Sequence, residues 1–204
     1  LPNAAAIINP NQPDCQFPCK NLAGVAVAFY VLSALRAKLR QLNWFEKNSI
    51  PEPNMAHYLD LVALGTVADV VPLDQVNRAL VHQGLLRIRA GYGRPGINAL
   101  LKIAGKNPAQ LVASDMGFAV APRLNAAGRL DDISYGIQCL LTDDPVIALK
   151  HAQELEQFNQ DRKTIEQEMQ TEALKIVEDL VLADQDELPA ALCLYQADWH
   201  QGVV

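Results

Sequence analysis

Several features that identify common protein classes are scarce or missing in this sequence. The longest apolar run without a charge, residues 22–35, is shorter than the ~20 residues that a membrane-spanning helix needs. No Walker loop, dinucleotide-binding fingerprint, nucleophile elbow or HExxH zinc motif occurs. These absences argue against a membrane partner and against P-loop, dehydrogenase, α/β-hydrolase and zinc-protease chemistry.

Cysteine is also scarce, with only Cys15, Cys19, Cys139 and Cys193. Cys15 and Cys19 are close in sequence, but no second close pair of cysteines or histidines joins them, so a structural zinc site is disfavoured. Reduced thiols in a cytoplasmic protein are the better interpretation. We therefore expect a cytoplasmic location.

Half of the residues are apolar and 20% are charged, which is the composition of a folded protein. Short apolar runs predict strands at residues 4–8 and 190–195. The chain starts at Leu1 rather than at a methionine and stops in Gly202-Val203-Val204. We interpret it as an internal segment of a longer protein.

Between the two predicted strands, the apolar periodicity predicts helices. Their expected ranges are 22–42, 55–64, 75–89, 97–104, 108–112, 115–121, 133–141 and 145–181. Asp74 is expected to cap the third of these helices, and Gly91 is expected to end it. In the last of these, the residues from Leu155 to Leu180 keep one apolar stripe, and Arg162 fills its single polar slot. A helix of that length, about 55 Å, is typical of a connection between two domains.

The charge is unevenly distributed along the chain. Seventeen basic and 23 acidic residues give a net charge of −6. Residues 78–129 contain eight basic residues and one acid, Asp115, which is a net +7 and leaves −13 elsewhere. This stretch indicates either a localised anion-binding surface or a solvated face that lacks acids.

Asp69 is the first candidate for chemistry. It lies in Ala-Asp-Val-Val-Pro, directly after a predicted buried helix, so we expect its carboxylate to be at least half buried. A buried carboxylate needs a partner, and an N-cap, a salt bridge and a metal ion all remain open.

Two other segments are candidates for binding. Residues 121–132 place Arg123, Asn125 and Arg129 among small residues, which is typical of a phosphate-binding loop or of a helix end with surface arginines. His200 follows Trp199 just after the second predicted strand. This pair is either a binding edge or a packed aromatic beside a structural histidine.

Together these segments resemble the RecJ branch of the DHH phosphoesterase superfamily. The matching stretches are residues 6–11, 21–26, 61–73, 87–91, 94–96, 122–132 and 199–204, in the order of the family. The combination of 61–73 with 122–132 is the most specific. The resemblance implies an α/β fold in which a DHH domain with a parallel sheet, incomplete here, is joined by a long helix to a DHHA1-type domain.

The resemblance also implies domain boundaries and site residues. Residues 1–142 would be the later part of the DHH domain, 143–183 the connecting helix and 184–204 the start of the DHHA1-type domain. Asp69 matches a metal-binding aspartate of the family. Arg123, Asn125 and Arg129 match its substrate-phosphate motif, and His200 matches a nucleic-acid-facing motif.

The implied activity is 5′-to-3′ hydrolysis of single-stranded DNA in repair and recombination, with two Mn²⁺ or Mg²⁺ ions. The implied protein is a monomer with single-stranded DNA as substrate and a single-strand-binding protein and a helicase as partners. Two alternatives remain open at this point. One is a related phosphoesterase for short oligonucleotides or cyclic dinucleotides, and the other is a non-catalytic replication scaffold.

Overall fold

The structure, a computed structural model, describes residues 3–183 and 191–203. Within these ranges the backbone is helical or irregular, and no β-strand is present. Both predicted strands are therefore wrong where they can be compared: 4–8 and 191–195 are irregular, and Ala190 lies outside the described residues. A strand is stable only when a neighbouring strand satisfies its backbone groups, and the described residues offer none. The predicted parallel sheet is thus not found in this part of the chain.

Nine α-helices make up most of the described structure. They are α1 Gly24–Gln41, α2 Trp44–Lys47, α3 Leu59–Ala68, α4 Gln75–Arg87, α5 Pro95–Ile103, α6 Ala113–Asp115, α7 Ala121–Leu130, α8 Ser134–Leu141 and α9 Pro145–Ala183. Two 3₁₀ turns, Met55–Tyr58 and Pro108–Gln110, and two π-helical segments, Ile88–Tyr92 and Met116–Val120, lie between them. Six of these helices, α1, α3, α4, α5, α8 and α9, lie close to ranges predicted from periodicity.

Local signals in the sequence account for several of the helix ends. Asp74 caps α4, since its carboxylate accepts hydrogen bonds from the backbone amides of Val76 and Asn77 at 3.1 and 3.0 Å. The hydrogen bond from the Asn77 amide, followed by that from the Cys19 thiol, lowers the pKa of this carboxyl. Gly91 has a φ of 82° and breaks the helical path after α4, as predicted.

Helix α7 is the main departure from the predicted helices, because this segment was interpreted as a phosphate-binding loop or a helix end. Asn125 and Gly128 lower its helix propensity and conceal the helix in the sequence. Pro122 lies in the first turn, where its missing N–H costs nothing, and Ala126 and Ala127 are fully buried. Packing of this alanine face therefore outweighs the weak local propensity.

The core lies where α5, α7 and α8 pack against the first half of α9, with α3 and α4 beside them. Its largest buried side chains include Ile88, Ile97, Leu100, Leu101, Leu111, Met116 and Leu155. Two glycines permit close helix contacts. A Cβ at Gly84 would lie 2.2 Å from the Leu59 carbonyl oxygen, and one at Gly96 would lie 2.0 Å from that of Cys139.

Helix α9 has 39 residues and is about 58 Å long at 1.5 Å per residue. Among its described side chains, the buried ones that anchor it in the core all lie in its first part, at Ala148, Ala152, Leu155 and Asn159. Beyond Asn159, the predicted stripe is half buried at Arg162, Ile165, Met169, Ala173 and Ile176, which confirms the periodicity as far as Ile176. The side chain of Leu180, the last residue of the predicted stripe, lies outside the described part of the chain. None of the described helices is long and apolar enough to cross a membrane.

Candidate metal ligand and nucleic-acid interface

Asp69 lies at the C-terminal end of α3, where its backbone N–H donates to the Gly65 carbonyl at 2.9 Å. Its side chain is exposed, so the prediction of a half-buried carboxylate is wrong. The buried face of α3 ends at Thr66, and the chain turns outward at Val70. Among the described residues the carboxylate has neither a hydrogen bond nor an ion pair, which leaves both oxygens free.

A shallow groove of about 380 Å³ lies beside Asp69. It is lined by residues on both sides of Asp69 in the chain, and by Phe118 and Gly117 of the π-helical segment. Val70 is 85% exposed with a φ of 54°, a strained conformation for a β-branched residue, and Phe118 is 86% exposed. The π-helical segment continues directly into α7, so the groove lies between the Asp69 turn and the segment that precedes the helix with the candidate phosphate ligands.

Asn125 and Arg129 are one turn apart on α7 and therefore share a helix face. Both residues are exposed. An amide and a guanidinium on one exposed face can donate several hydrogen bonds to phosphate oxygens. The structure thus presents these two predicted phosphate ligands together.

Arg123 has a different environment. Its Nε lies 2.5 Å from the Glu156 Oε2 of α9, in ion contact but without hydrogen-bond geometry, and its Nη1 donates to the Ala119 carbonyl. Its side chain is only 12% exposed. The expected free phosphate ligand is therefore engaged inside the protein, because α7 packs on α9 at this position. A phosphate contact by Arg123 stays a prediction.

The C-terminal segment 191–203 brings His200 next to Arg129 through the peptide group of Gly202. The Arg129 Nη1 donates to the Gly202 carbonyl at 2.8 Å, and the Gly202 N–H donates to the His200 Nδ1 at 3.1 Å. Neighbouring Trp199 donates its indole Nε1–H to the Glu172 carboxylate of α9 at 2.8 Å. Residues 71 positions apart in the chain therefore form one cluster, which the sequence did not predict.

Several cations of the predicted basic stretch have partners within the fold. Three of its cations are paired with carboxylates: Arg94 with Asp60, Lys106 with Asp115, and Arg123 with Glu156. Arg89 donates to the Leu111 carbonyl. Part of the local charge excess is therefore neutralised by these pairs, whereas Arg129 is exposed on the same helix face as Asn125.

The Asp60–Arg94 pair was not identified from the sequence. The Asp60 side chain is 1% exposed, and it accepts from the Arg94 backbone N–H at 2.9 Å besides pairing with the guanidinium at 3.3 Å. The two residues are 34 positions apart, so no local pattern indicates their contact. This pair joins the start of α3 to the start of α5 and belongs to the scaffold.

The described residues do not by themselves provide a complete metal site. Nowhere in residues 3–183 and 191–203 do three or more histidine, cysteine or carboxylate side chains come together in a way that could hold an ion. The free carboxylate of Asp69 fits the oxygen ligands that Mg²⁺ and Mn²⁺ prefer, but it supplies one residue of a set.

Comparison with known proteins identifies several that are similar to this chain. No family model matches the chain. A single-stranded-DNA-specific exonuclease RecJ of Dickeya dadantii is 59% identical over all 204 residues, and that of Escherichia coli K12 is 58% identical over the same length. Over its whole length this chain is similar to a segment of RecJ exonucleases. It spans 35% of the length of each of these RecJ relatives.

Solved RecJ structures agree with this assignment. The Mn²⁺ complex of RecJ from Thermus thermophilus is 34% identical and aligns over 96% of this chain and 26% of its own, with a TM-score of 0.71. The Mg²⁺ complex from the same organism is 36% identical and aligns over 78% of this chain and 24% of its own, with a TM-score of 0.62. The helical arrangement described above is therefore that of a RecJ segment.

Proposed function

We propose that this chain is part of an exonuclease that hydrolyses single-stranded DNA from 5′ to 3′ with divalent metal ions, in DNA repair and recombination. The observation that carries the proposal is the identity to RecJ exonucleases over every residue of the chain. The geometry supports it, since the Asp69 carboxylate is free and the groove beside it is lined by the π-helical segment that leads into α7, the helix that presents Asn125 and Arg129.

In this proposal Asp69 supplies one ligand of a pair of Mn²⁺ or Mg²⁺ ions. The remaining ligands come from parts of the longer protein outside these 204 residues, together with the parallel sheet of the DHH domain. Such ions, when bound, activate water for attack on a phosphodiester. The contribution of this chain is a carboxylate held at a fixed helix end with both oxygens unshared.

The nucleic-acid contacts in this proposal are Asn125, Arg129 and His200. Arg129 and Asn125 bind backbone phosphates, which holds the strand without reading its sequence. Arg123 holds α7 against α9 through Glu156, and any phosphate contact that it makes is additional to that role. Residues 1–142, 143–183 and 184–204 correspond in this proposal to the DHH part, the connecting helix and the start of the DHHA1-type domain.

Partner proteins and location follow from the same proposal. A cytoplasmic exonuclease for single strands meets its substrate coated by single-strand-binding protein or freshly unwound by a helicase, and we propose both as partners of a monomeric enzyme. No contact of the described residues identifies these partners.

The decisive experiment replaces Asp69 in a full-length RecJ that contains this segment. Asp69→Asn removes a metal-binding charge without changing size, and we expect Mn²⁺-dependent digestion of 5′-ended single strands to fall by a factor of roughly 100 or more. Asp143→Asn is the matched control, because Asp143 is also an exposed aspartate beside a helix end. Digestion by Asp69→Asn at the rate of this control contradicts the metal role.

The 204-residue chain alone gives a second test. One aspartate does not hold the catalytic ions, so we expect no Mn²⁺-dependent digestion of single-stranded DNA by the purified chain. Binding to single strands is measured in the same samples. Robust digestion by the chain alone would show that the metal ligands are assigned to the wrong residues.

A further inference from the structure

The peptide group of Gly202 connects two of the proposed DNA contacts that come from distant parts of the chain. Its carbonyl accepts from the Arg129 Nη1 and its N–H donates to the His200 Nδ1. A side chain does not fit here, because a Cβ at Gly202 would lie 2.9 Å from the Arg129 carbonyl oxygen and 3.2 Å from the His200 Cε1. The close approach of α7 to the C-terminal segment therefore requires glycine.

The hydrogen bond from Gly202 also determines where His200 carries its proton. A neutral imidazole has one N–H and one acceptor nitrogen, and an Nδ1 that accepts the Gly202 N–H has no proton of its own. The proton is then on Nε2, which is the ring nitrogen that remains free to donate. His200 is half buried, so its ring is partly accessible to a ligand.

Arg129 keeps donors for a ligand despite its contact with Gly202. A guanidinium has five N–H donors, and the contact with the Gly202 carbonyl uses only Nη1. The residue is exposed, so the remaining donors face solvent. The Gly202 peptide group thus orients two donors of different chemistry, the charged guanidinium of Arg129 and the neutral Nε2–H of His200.

We propose that Gly202 is a positioning residue that locks Arg129 and His200 into one phosphate-binding unit, with the His200 Nε2–H as the donor to the DNA strand. The part of this inference that concerns DNA rests on the proposed function. The contact between the three residues does not. Preorganisation of this kind lowers the ordering cost of binding, because both donors are already aligned before the strand arrives.

The contact itself is tested by NMR on the 204-residue chain. A scalar coupling across the hydrogen bond is expected between the Gly202 amide nitrogen and the His200 Nδ1, together with an Nε2–H signal from the same ring. Gly202→Ala should remove the coupling, because the added Cβ displaces the peptide from Arg129. A proton on Nδ1, or no coupling in the unmodified chain, overturns the positioning role.

The role in DNA binding is tested in a full-length RecJ that contains this segment. Gly202→Ala should raise the KM for single-stranded DNA roughly tenfold, about the effect of losing one charge-assisted hydrogen bond, with kcat little changed. Gly24→Ala is the control, because a Cβ at Gly24 meets no atom within 4 Å. An unchanged KM for Gly202→Ala contradicts the proposal.

Two substitutions of His200 separate the roles of its two nitrogens. His200→Asn keeps a group near Nδ1 that can accept from Gly202 but loses the Nε2–H donor, whereas His200→Gln keeps a donor near Nε2. We expect His200→Asn to bind DNA more weakly than His200→Gln. The opposite order overturns the assignment of the donor. If both variants bind DNA as well as the unmodified protein, and the coupling is present in the unmodified chain, the DNA role of His200 is refuted. The contact between His200 and Gly202 is then still supported.

Discussion

The ion pair between Arg123 and Glu156 gives the sharpest test of how α7 is held. Arg123 lies in the first half of α7 and Glu156 in the anchored part of α9, and the arginine also donates to the Ala119 carbonyl. We therefore expect Arg123→Ala to destabilise the chain, because it leaves Glu156 partly buried without its cation and Ala119 without its donor.

The expected magnitude follows from the exposure of the two side chains. Arg123 and Glu156 are 12% and 23% exposed, which places the pair between the buried and the surface cases. Breaking a buried pair costs about 3–5 kcal/mol, and an exposed pair contributes under about 1 kcal/mol. We expect a loss of about 2 kcal/mol in the free energy of unfolding, or a fall in Tm of roughly 4–8 °C for a chain of this size.

A double-mutant cycle measures the interaction itself. Urea unfolding of the 204-residue chain is followed by circular dichroism for Arg123→Ala, Glu156→Ala and the double variant, with Arg78→Ala as an exposed control. A coupling of about 1 kcal/mol or more is expected between the two sites. Additive effects, with both single variants close to Arg78→Ala, would refute the reasoning from burial.

The same variant distinguishes the two roles of Arg123 in the full-length protein. A direct phosphate contact makes the dependence of DNA affinity on salt shallower by about one charge when the arginine is removed, and a purely internal pair leaves the slope unchanged. Arg129→Ala is the positive comparison, since Arg129 is exposed and its remaining donors face solvent. We expect the shallower slope for Arg129→Ala.

Three further predictions concern the scaffold, and each is checked by unfolding of the 204-residue chain. Gly84→Ala should destabilise it by about 1–3 kcal/mol, because the new Cβ would lie 2.2 Å from a backbone carbonyl of α3, whereas Gly24→Ala should have little effect. Arg94→Ala should cost about 3–5 kcal/mol by leaving the buried Asp60 carboxylate without its cation, and a loss below that of an exposed pair contradicts this. The pKa of the Asp74 carboxyl is lowered in the folded state, so its contribution to stability is complete above the unfolded value of 3.8 and is lost as the pH falls through the folded pKa. Asp74→Asn should therefore make the free energy of unfolding less dependent on pH in acid. An unchanged dependence on pH counts against the cap.

The sequence was a good guide to the helices with strong local signals. The Asp74 cap, the Gly91 break and the stripe of α9 were all predicted, because each depends on residues a few positions apart. The strands at 4–8 and 190–195 were not found in the described residues, since strand formation depends on a partner that local periodicity does not contain. Helix α7 was missed because its buried alanines are a packing signal rather than a propensity signal.

The candidate site was also predicted only in part. The resemblance placed Asp69, Asn125, Arg129 and His200 on the candidate list, and the structure brings Arg129 and His200 together. The resemblance did not indicate that Arg123 faces Glu156 or that Gly202 connects α7 to the C-terminal segment, because these contacts join residues 33 and 73 positions apart. The exposure of Asp69 was also predicted wrongly, since flanking apolar residues do not reveal that the chain turns outward at Val70.

Hydrogen bonds attach the C-terminal segment 191–203 to two different helices, and this has a mechanical consequence. Trp199 is attached to Glu172 on the projecting half of α9, and Gly202 is attached to Arg129 on α7. The segment therefore connects the projecting half of α9, a helix about 58 Å long, to α7. If the projecting half of α9 moves away from the core, one of these two hydrogen bonds has to lengthen or break.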